Sequence, residues 1–358
     1  MHIDIITIMR CPACKATLSL TVYAAGNNGE VREGLLTCTS CSTVYPITDH
    51  IPRMVPTTLF YDPDFLARHS VDPSRLLHGW DGQLADISEI QKHTEENFGH
   101  EWQHYANLGW TSETTQDTSA MEESIQWFHE KSLLTTEDVA GRLTLDAGCG
   151  NGRFSRAAFA AGALVVSMDL TCAAGVARAN LVRDGRNAQV IQGDILHAPF
   201  KSNTFDVVFS IGVIQHTGAP LKATANLAAL TRQNGLLSIR TYRRANSRLE
   251  ENDAAIRAVT TTFNMAELHE FADIMHKLTD FLCRKGLYWQ VARHIVIFPK
   301  RYDIFDWYAA PVAAKLTYEE MRDTFSAAGM AVLRDADDGT SCEERCFSAI
   351  SILGEKRS

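Results

Sequence analysis

The sequence predicts an α/β domain with a doubly wound, mostly parallel sheet, a small metal-bound unit before it and a helical insertion near its end. Three observations lead there. From Arg142 onward, short apolar runs alternate with helical patterns, the rhythm of strands joined by crossover helices. The first of these runs passes through DAGCGNG, Asp146 to Gly152, into an Ala-rich helix. Two CxxC pairs, Cys11/Cys14 and Cys38/Cys41, stand near the start of the chain.

Taken in order, residues 1–57 form the first unit, ending in the proline-punctuated YPITDHIPRMVP. CPAC, 23 intervening residues and CTSC give two knuckles, and four thiolates so arranged hold zinc tetrahedrally. In so short a unit the metal is structural, because it closes the fold. Redox use of the pairs would want a βαβ pattern beside them, which is missing. Residues 58–130 are polar and helical, with an aromatic cluster in ENFGHEWQHYANLGW, Glu96 to Trp110.

Residues 131–244 carry the core, with strands expected at Leu143–Asp146, Leu164–Asp169, Ala188–Gln192, Phe205–Ile211 and Gly235–Thr241. Residues 245–310 interrupt it with a helical, aromatic-rich insertion. Residues 311–358 complete it with a helix that Thr317 caps and strands near Met330–Arg334 and Ser348–Leu353.

Composition narrows the function. Apolar residues make up 45% and charged residues 22% of 358, ordinary values for a soluble protein. No apolar run of about 18 residues predicts a membrane span. The start, MHIDIITIMRCPAC, lacks the pattern of a secretory signal, so a cytoplasmic location is expected. A net charge of −9 argues against a broad basic surface for nucleic acid and leaves room only for a local patch. Nine cysteines, an odd number, suit a reducing compartment.

The glycine turn lets a ligand approach main-chain N–H groups at a helix start. The dinucleotide fingerprint is GxGxxG; here the spacing is GxGxG, and Arg153 stands where the third glycine would be. Asp146 precedes the first glycine by two, where it can meet an ammonium group, and Asp169 ends the next strand, where a carboxylate can take both ribose hydroxyls. Asp194, in GDIL, borders the same crevice. At these residues the sequence resembles the class I S-adenosylmethionine-dependent methyltransferases, over roughly Leu143 to Arg244 and the last forty or so residues. The resemblance implies a Rossmann-like, seven-stranded sheet and S-adenosylmethionine as cofactor. It implies cofactor contacts from Gly148, Gly150, Asp169 and Leu170, with Asp194 and Ile195 at the adenine.

SIGVIQHT should form the active-site end of the fourth strand. It lacks the Asn/Asp-Pro-Pro-aromatic pattern of enzymes that methylate planar amino groups, and the Pro-Cys pair of those that attack pyrimidine C5. His216 is the candidate base, since imidazole titrates near neutrality. Alternatively Gln215 and His216 line the cofactor pocket or cap the next helix. ENFGHEWQHY resembles a lid stretch of small-molecule methyltransferases, which makes Phe98, Trp102 and Tyr105 candidates to face the sulfonium; ordinary helix packing is the other reading. The insertion, Phe281 to Pro311 above all, suits a substrate pocket, a homo-oligomer interface or plain core. Relatives often carry a histidine near Ala314 or Lys315, and this chain does not. Arg240, Tyr242, Arg243, Arg244 and Arg248 suit an anionic substrate group or a solvated charge run.

The first unit resembles the small zinc-ribbon activator proteins that partner methyltransferases of tRNA, ribosomal RNA and release factors, here fused in one chain. A stabilising or docking role follows from that resemblance. The expected function is methyl transfer to a small-molecule acceptor, as in secondary metabolism. An RNA or translation-factor methyltransferase and a nonenzymatic zinc-ribbon scaffold are the alternatives.

Overall fold

A computed structural model of the chain describes residues 1–26, 29–76, 85–110, 120–337, 339 and 348–357, without the side chains of 85–88 and 120. The core strands are β5 (Leu143–Ala147), β6 (Leu164–Asp169), β7 (Gln189–Gly193), β8 (Phe205–Ile211), β9 (Thr231–Arg243), β10 (Met330–Asp335) and β11 (Ser348–Lys356). Their order is β7-β6-β5-β8-β9-β11-β10. β7, β6, β5, β8 and β9 run parallel, and β11 is antiparallel to both β9 and β10. This is the class I methyltransferase sheet. The reversal of strand order between β5 and β8 opens the crevice in which such sheets bind ligands.

The strands read as apolar runs because both faces are covered. In β8, Phe205, Val207, Val208 and Phe209 are all buried. Phe128, on α3 (Ala120–Ser132), packs edge-on against Phe209 at 5.2 Å. The helices α5 (Arg153–Ala160), α6 (Ala173–Arg183), α7 (Pro220–Leu230) and α12 (Tyr318–Ala327) follow the core strands. Pro220 occupies the first turn of α7, where its missing N–H costs nothing. Thr317 and Glu320 form a reciprocal capping box on α12.

The sheet has eleven strands, not the seven expected. The four additional ones are β1 (Leu18–Ala25), β2 (Val31–Cys38), β3 (Val44–Thr48) and β4 (Ile51–Met54), an antiparallel meander of the N-terminal unit. β4 lies parallel to β7, with Arg53 opposite Gln192 and Met54 opposite Gly193. The Arg53 guanidinium donates to Gln192 Oε1 at 3.0 Å. Around this seam Arg178 pairs with Glu30 at 2.9 Å, and Lys15 donates to the Ala198 carbonyl at 2.9 Å. Met9 and Ile5 share one apolar cluster with Leu196 and Phe200. Apolar burial and strand pairing therefore join the unit to the core.

Residues between the two parts include α1 (Pro63–Arg68) and α2 (Ala85–His104). The insertion is helical as expected: α8 (Ser247–Thr260), α9 (Met265–Arg284), α10 (Tyr288–Ala292) and α11 (Arg301–Ala309). It has its own core of Leu249, Leu268, Phe305, Trp307 and Tyr308. Asp253 is fully buried inside it and accepts from Trp307 Nε1 at 2.7 Å and from Lys315 Nζ at 2.5 Å. The remaining helix, α4 (Thr136–Val139), leads into β5.

Candidate active site

Gly148 stands in the left-handed region, φ 89°, and a Cβ there would fall 2.3 Å from Val213. At Gly150 a Cβ would fall 2.8 Å from the Trp102 ring. The turn thus admits α2 directly onto the backbone of the loop. Asn151 fixes that approach. Its amide donates to the Leu108 carbonyl at 2.9 Å, while its Oδ1 accepts from Arg153 N at 3.2 Å. Asn180 adds a bond to the Ala106 carbonyl at 2.8 Å.

Between the strand ends and α2 lies a cleft of about 790 Å³. Gly148, Asp169, Leu170, Asp194, Ile195 and His216 line it from the core, and Gln91, Thr94, Phe98 and Trp102 from α2. Asp169 Oδ2 accepts from Gly150 N at 2.8 Å, and Oδ1 accepts from Thr171 N and Oγ1 at 3.0 and 2.8 Å. Burial nevertheless holds its carboxyl above the ordinary aspartate range. Asp194 Oδ1 accepts from Leu196 N at 2.9 Å. Its Oδ2 accepts from Gln91 Nε2 at 2.6 Å and pairs with His197 Nδ1 at 2.8 Å.

Four expected cofactor residues do not line this cleft. Asp146 lies beneath the loop, accepts from Ser155 Oγ at 2.6 Å, and is pushed up to about 7 by burial. Gln215 is fully buried: its Oε1 accepts from Thr241 Oγ1 at 3.2 Å and its amide meets His216 Nε2 at 3.1 Å. The Tyr105 hydroxyl accepts from Arg301. Gly150 faces a second cavity rather than the cleft.

His216 reaches the cleft with both nitrogens engaged. Nδ1 donates to the Val312 carbonyl at 2.6 Å, which leaves Nε2 to accept from Gln215. Burial lowers its pKa to about 4, so the ring is neutral. Phe98 and Tyr242 flank it, with ring centroids 4.8 and 5.4 Å away.

The second cavity, of about 1150 Å³, adjoins the cleft and shares Trp102, Gly148, Ile211, Gly212 and Asp306 with it. Its other walls carry Glu101, Asp303 and Tyr242, with Lys131, Arg153 and Arg240 as cations and Phe298, Tyr302 and Trp307 as aromatic surface. Arg240 and Tyr242 are thus the members of the Arg240–Arg248 run that face a cavity. Arg243 pairs with Asp337 at 3.2 Å, Arg244 pairs with Glu320 at 3.1 Å, and Arg248 is exposed.

Two side-chain clusters have a metal-like arrangement. The sulfurs of Cys11, Cys14, Cys38 and Cys41 lie within 4.8 Å of one another, with Cys11–Cys41 at 3.7 Å and Cys14–Cys38 at 3.4 Å. A tetrahedron with metal–sulfur bonds of about 2.3 Å has edges of about 3.8 Å. The N–H groups of Ser40 and Cys41 point at Cys38 Sγ, both at 3.4 Å, the outer bonds that favour thiolate. The other cluster, His100, His104 and His269, comes from the HEWQH segment and α9. Histidines four apart on α2 were its signal in the sequence. Arg301 donates to His269 Nδ1 at 3.2 Å. A guanidinium has no acceptor, so the His269 proton sits on Nε2 and is donated to His100 Nε2 at 3.0 Å. In this arrangement the cluster is a hydrogen-bonded clasp between α2 and α9.

Residues 145–239 match the family described as "Methyltransferase domain", and residues 4–49 match the Trm112p-like proteins. The chain is 30% identical over 171 residues to the ubiquinone biosynthesis O-methyltransferase of Aromatoleum aromaticum, covering 45% of this chain and 64% of that one. It is 27% identical over 207 residues to the tRNA U34 carboxymethyltransferase of Methylococcus capsulatus, covering 53% and 55%. These matches span less than two thirds of either relative. A solved complex of the Haloferax volcanii Trm112 activator with a methyltransferase aligns at TM-score 0.41 and 17% identity, covering 73% of this chain and 98% of that one. A Burkholderia thailandensis N1-methyltransferase structure aligns at TM-score 0.44 and 16% identity, covering 78% and 93%. One chain thus carries a Trm112p-like match at residues 4–49 and, behind it, a methyltransferase-domain match at residues 145–239.

Proposed function

We propose that this chain transfers a methyl group from S-adenosylmethionine to a small-molecule acceptor held in the larger cavity. The observation that carries this reading is the meeting of two cavities at one wall, the cleft at the strand ends and the charged, aromatic chamber behind Trp102. The residues present fit the cofactor. A carboxylate has about four acceptor sites, and Asp169 uses three, which leaves capacity for a ribose hydroxyl. Asp194 and Ile195 suit an adenine, provided the Gln91 amide yields its place on Asp194 Oδ2. Phe98 and Trp102 offer aromatic faces toward a cation.

When bound, S-adenosylmethionine supplies an electrophilic methyl group. The protein's part is then to orient, to exclude water and to receive a proton. Neutral His216, held by Val312 and Gln215, suits a wall that positions the ligand better than a proton acceptor. The chamber places cations and carboxyls among aromatic side chains, which suits a compact polar acceptor. We assign structural zinc to the four cysteines, on their spacing and their N–H···S contacts. Such a thiolate site suits the reducing cytoplasm.

Calorimetry with S-adenosylmethionine tests the cofactor assignment. Asp169→Ala is expected to weaken binding by roughly 1.5–3 kcal/mol, the worth of a charge-assisted hydrogen bond. Unchanged affinity would overturn the ribose role. An RNA acceptor is the second reading, favoured by the Trm112p-like match and the tRNA-modifying relative. Tight, salt-sensitive binding of unmethylated bulk RNA would select it.

A further inference from the structure

The acceptor's proton needs a destination, and the inference drawn here about it rests on the methyl-transfer reading above. We propose that the Asp306 carboxylate, at the junction of the two cavities, is the catalytic base that takes the proton of the methyl acceptor.

Position is the first argument. Five residues line both cavities, and among them only Asp306 ionises near neutrality; the others are Trp102, Ile211 and two glycines. A group that must touch the acceptor while the cofactor is bound has to stand at that wall. Availability is the second. Among the described residues the one hydrogen bond to the Asp306 carboxylate comes from the Tyr242 hydroxyl, at a long 3.4 Å to Oδ2. Asp169 and Asp194, by contrast, each already accept several bonds.

The third argument is Glu101. Its side chain is 2% exposed, it lines the larger cavity, and its Oε2 has no hydrogen-bond partner. A buried acceptor without a donor is costly in a closed protein, and it marks a place that a ligand is shaped to fill. α2 brings Glu101, and α11 brings Asp303 and Asp306. Neighbouring groups include Tyr242 from β9, Arg257 from α8 and Lys131 from α3. Burial, with Asp303 as a like charge, outweighs the cations and raises Asp306 to about 7. A base of that strength is matched to work near neutral pH.

The step balances simply. The acceptor's O–H or N–H bond breaks, its electron pair stays on the oxygen or nitrogen, and the proton forms an O–H bond on Asp306. The acceptor therefore belongs to the class that offers an ionisable hydroxyl or N–H group.

The test uses the full chain loaded with S-adenosylhomocysteine and carrying ¹³C-labelled aspartate carboxyls. A resonance that titrates near pH 7 should vanish in Asp306→Asn, while the one from buried Asp146 remains. In Asp303→Asn the Asp306 midpoint should fall by about one pH unit or more, because the like charge that raises it has gone. Should S-adenosylhomocysteine fail to bind in calorimetry, the cofactor reading falls and this proposal with it. Should it bind while the Asp306 resonance titrates in the ordinary carboxyl range, or ignores Asp303→Asn, the cofactor site stands and Asp306 is not the base.

Discussion

Replacing Gly148 by alanine separates two costs that the glycine turn avoids. The backbone there has φ 89°, and a Cβ in the left-handed region costs roughly 1–2 kcal/mol. The same Cβ would lie 2.3 Å and 2.5 Å from the two Val213 methyls and 2.9 Å from Val213 Cβ. None of these is a flexible tip, since a β-branched side chain is stiff at χ1. Overlap of this kind costs about 1–3 kcal/mol when neighbours shift. Gly148→Ala should therefore lose about 2–5 kcal/mol in urea unfolding with the slope unchanged. Val213→Ala in the same chain should restore the overlap share, a coupling of about 1–3 kcal/mol, and leave the backbone share in place. A loss below about 0.5 kcal/mol, the level of a neutral surface change, would refute the reasoning. So would a double variant whose loss equals the sum of the single losses.

Two further outcomes follow from the same geometry. Chelating the zinc assigned to the four cysteines should unfold that unit and weaken S-adenosylmethionine binding, because β4 borders the strand that leads into Asp194; unchanged affinity in calorimetry after verified metal removal would break that link. Asp146 is raised by burial to about 7, so its contribution to stability is fully present below the unfolded aspartate range and is lost as pH rises toward 7, at about 1.4 kcal/mol for each pH unit that separates the folded from the unfolded pKa. Asp146→Asn keeps an acceptor for Ser155 and should flatten the decline of stability between pH 4 and 7; parallel stability curves for the two proteins would show that Asp146 is not the source.

The core strands were legible in the sequence because their apolar runs are local. Leu164–Asp169 and Phe205–Ile211 fold with the bounds expected of them. Thr317 likewise announces α12 by its spacing from Glu320. The cluster of the four cysteines was legible because ligand spacing is a local pattern. What stayed hidden depends on contacts between distant segments. Nothing in IPRM states that it will lie beside β7, since so short a strand fits many edges. Asp306 reads as one acid in an aromatic helix, and only packing against Glu101 and Tyr242 gives it its setting. HEWQH displays its histidines, but its buried glutamate and the Arg301 contact emerge only in three dimensions. Asn151 reads as a turn residue, and its grip on the segment that follows α2 is a tertiary fact.

The seam between β4 and β7 has a bearing on assembly. Two paired positions are few to hold separate molecules together, but Arg53 and Gln192 belong to one polypeptide, 139 residues apart. Closing a loop of that length costs little more than closing one of half the length, and dilution cannot separate the pair. With β4 paired along β7, that flank of the sheet is covered from within the same chain and is closed to a strand from another.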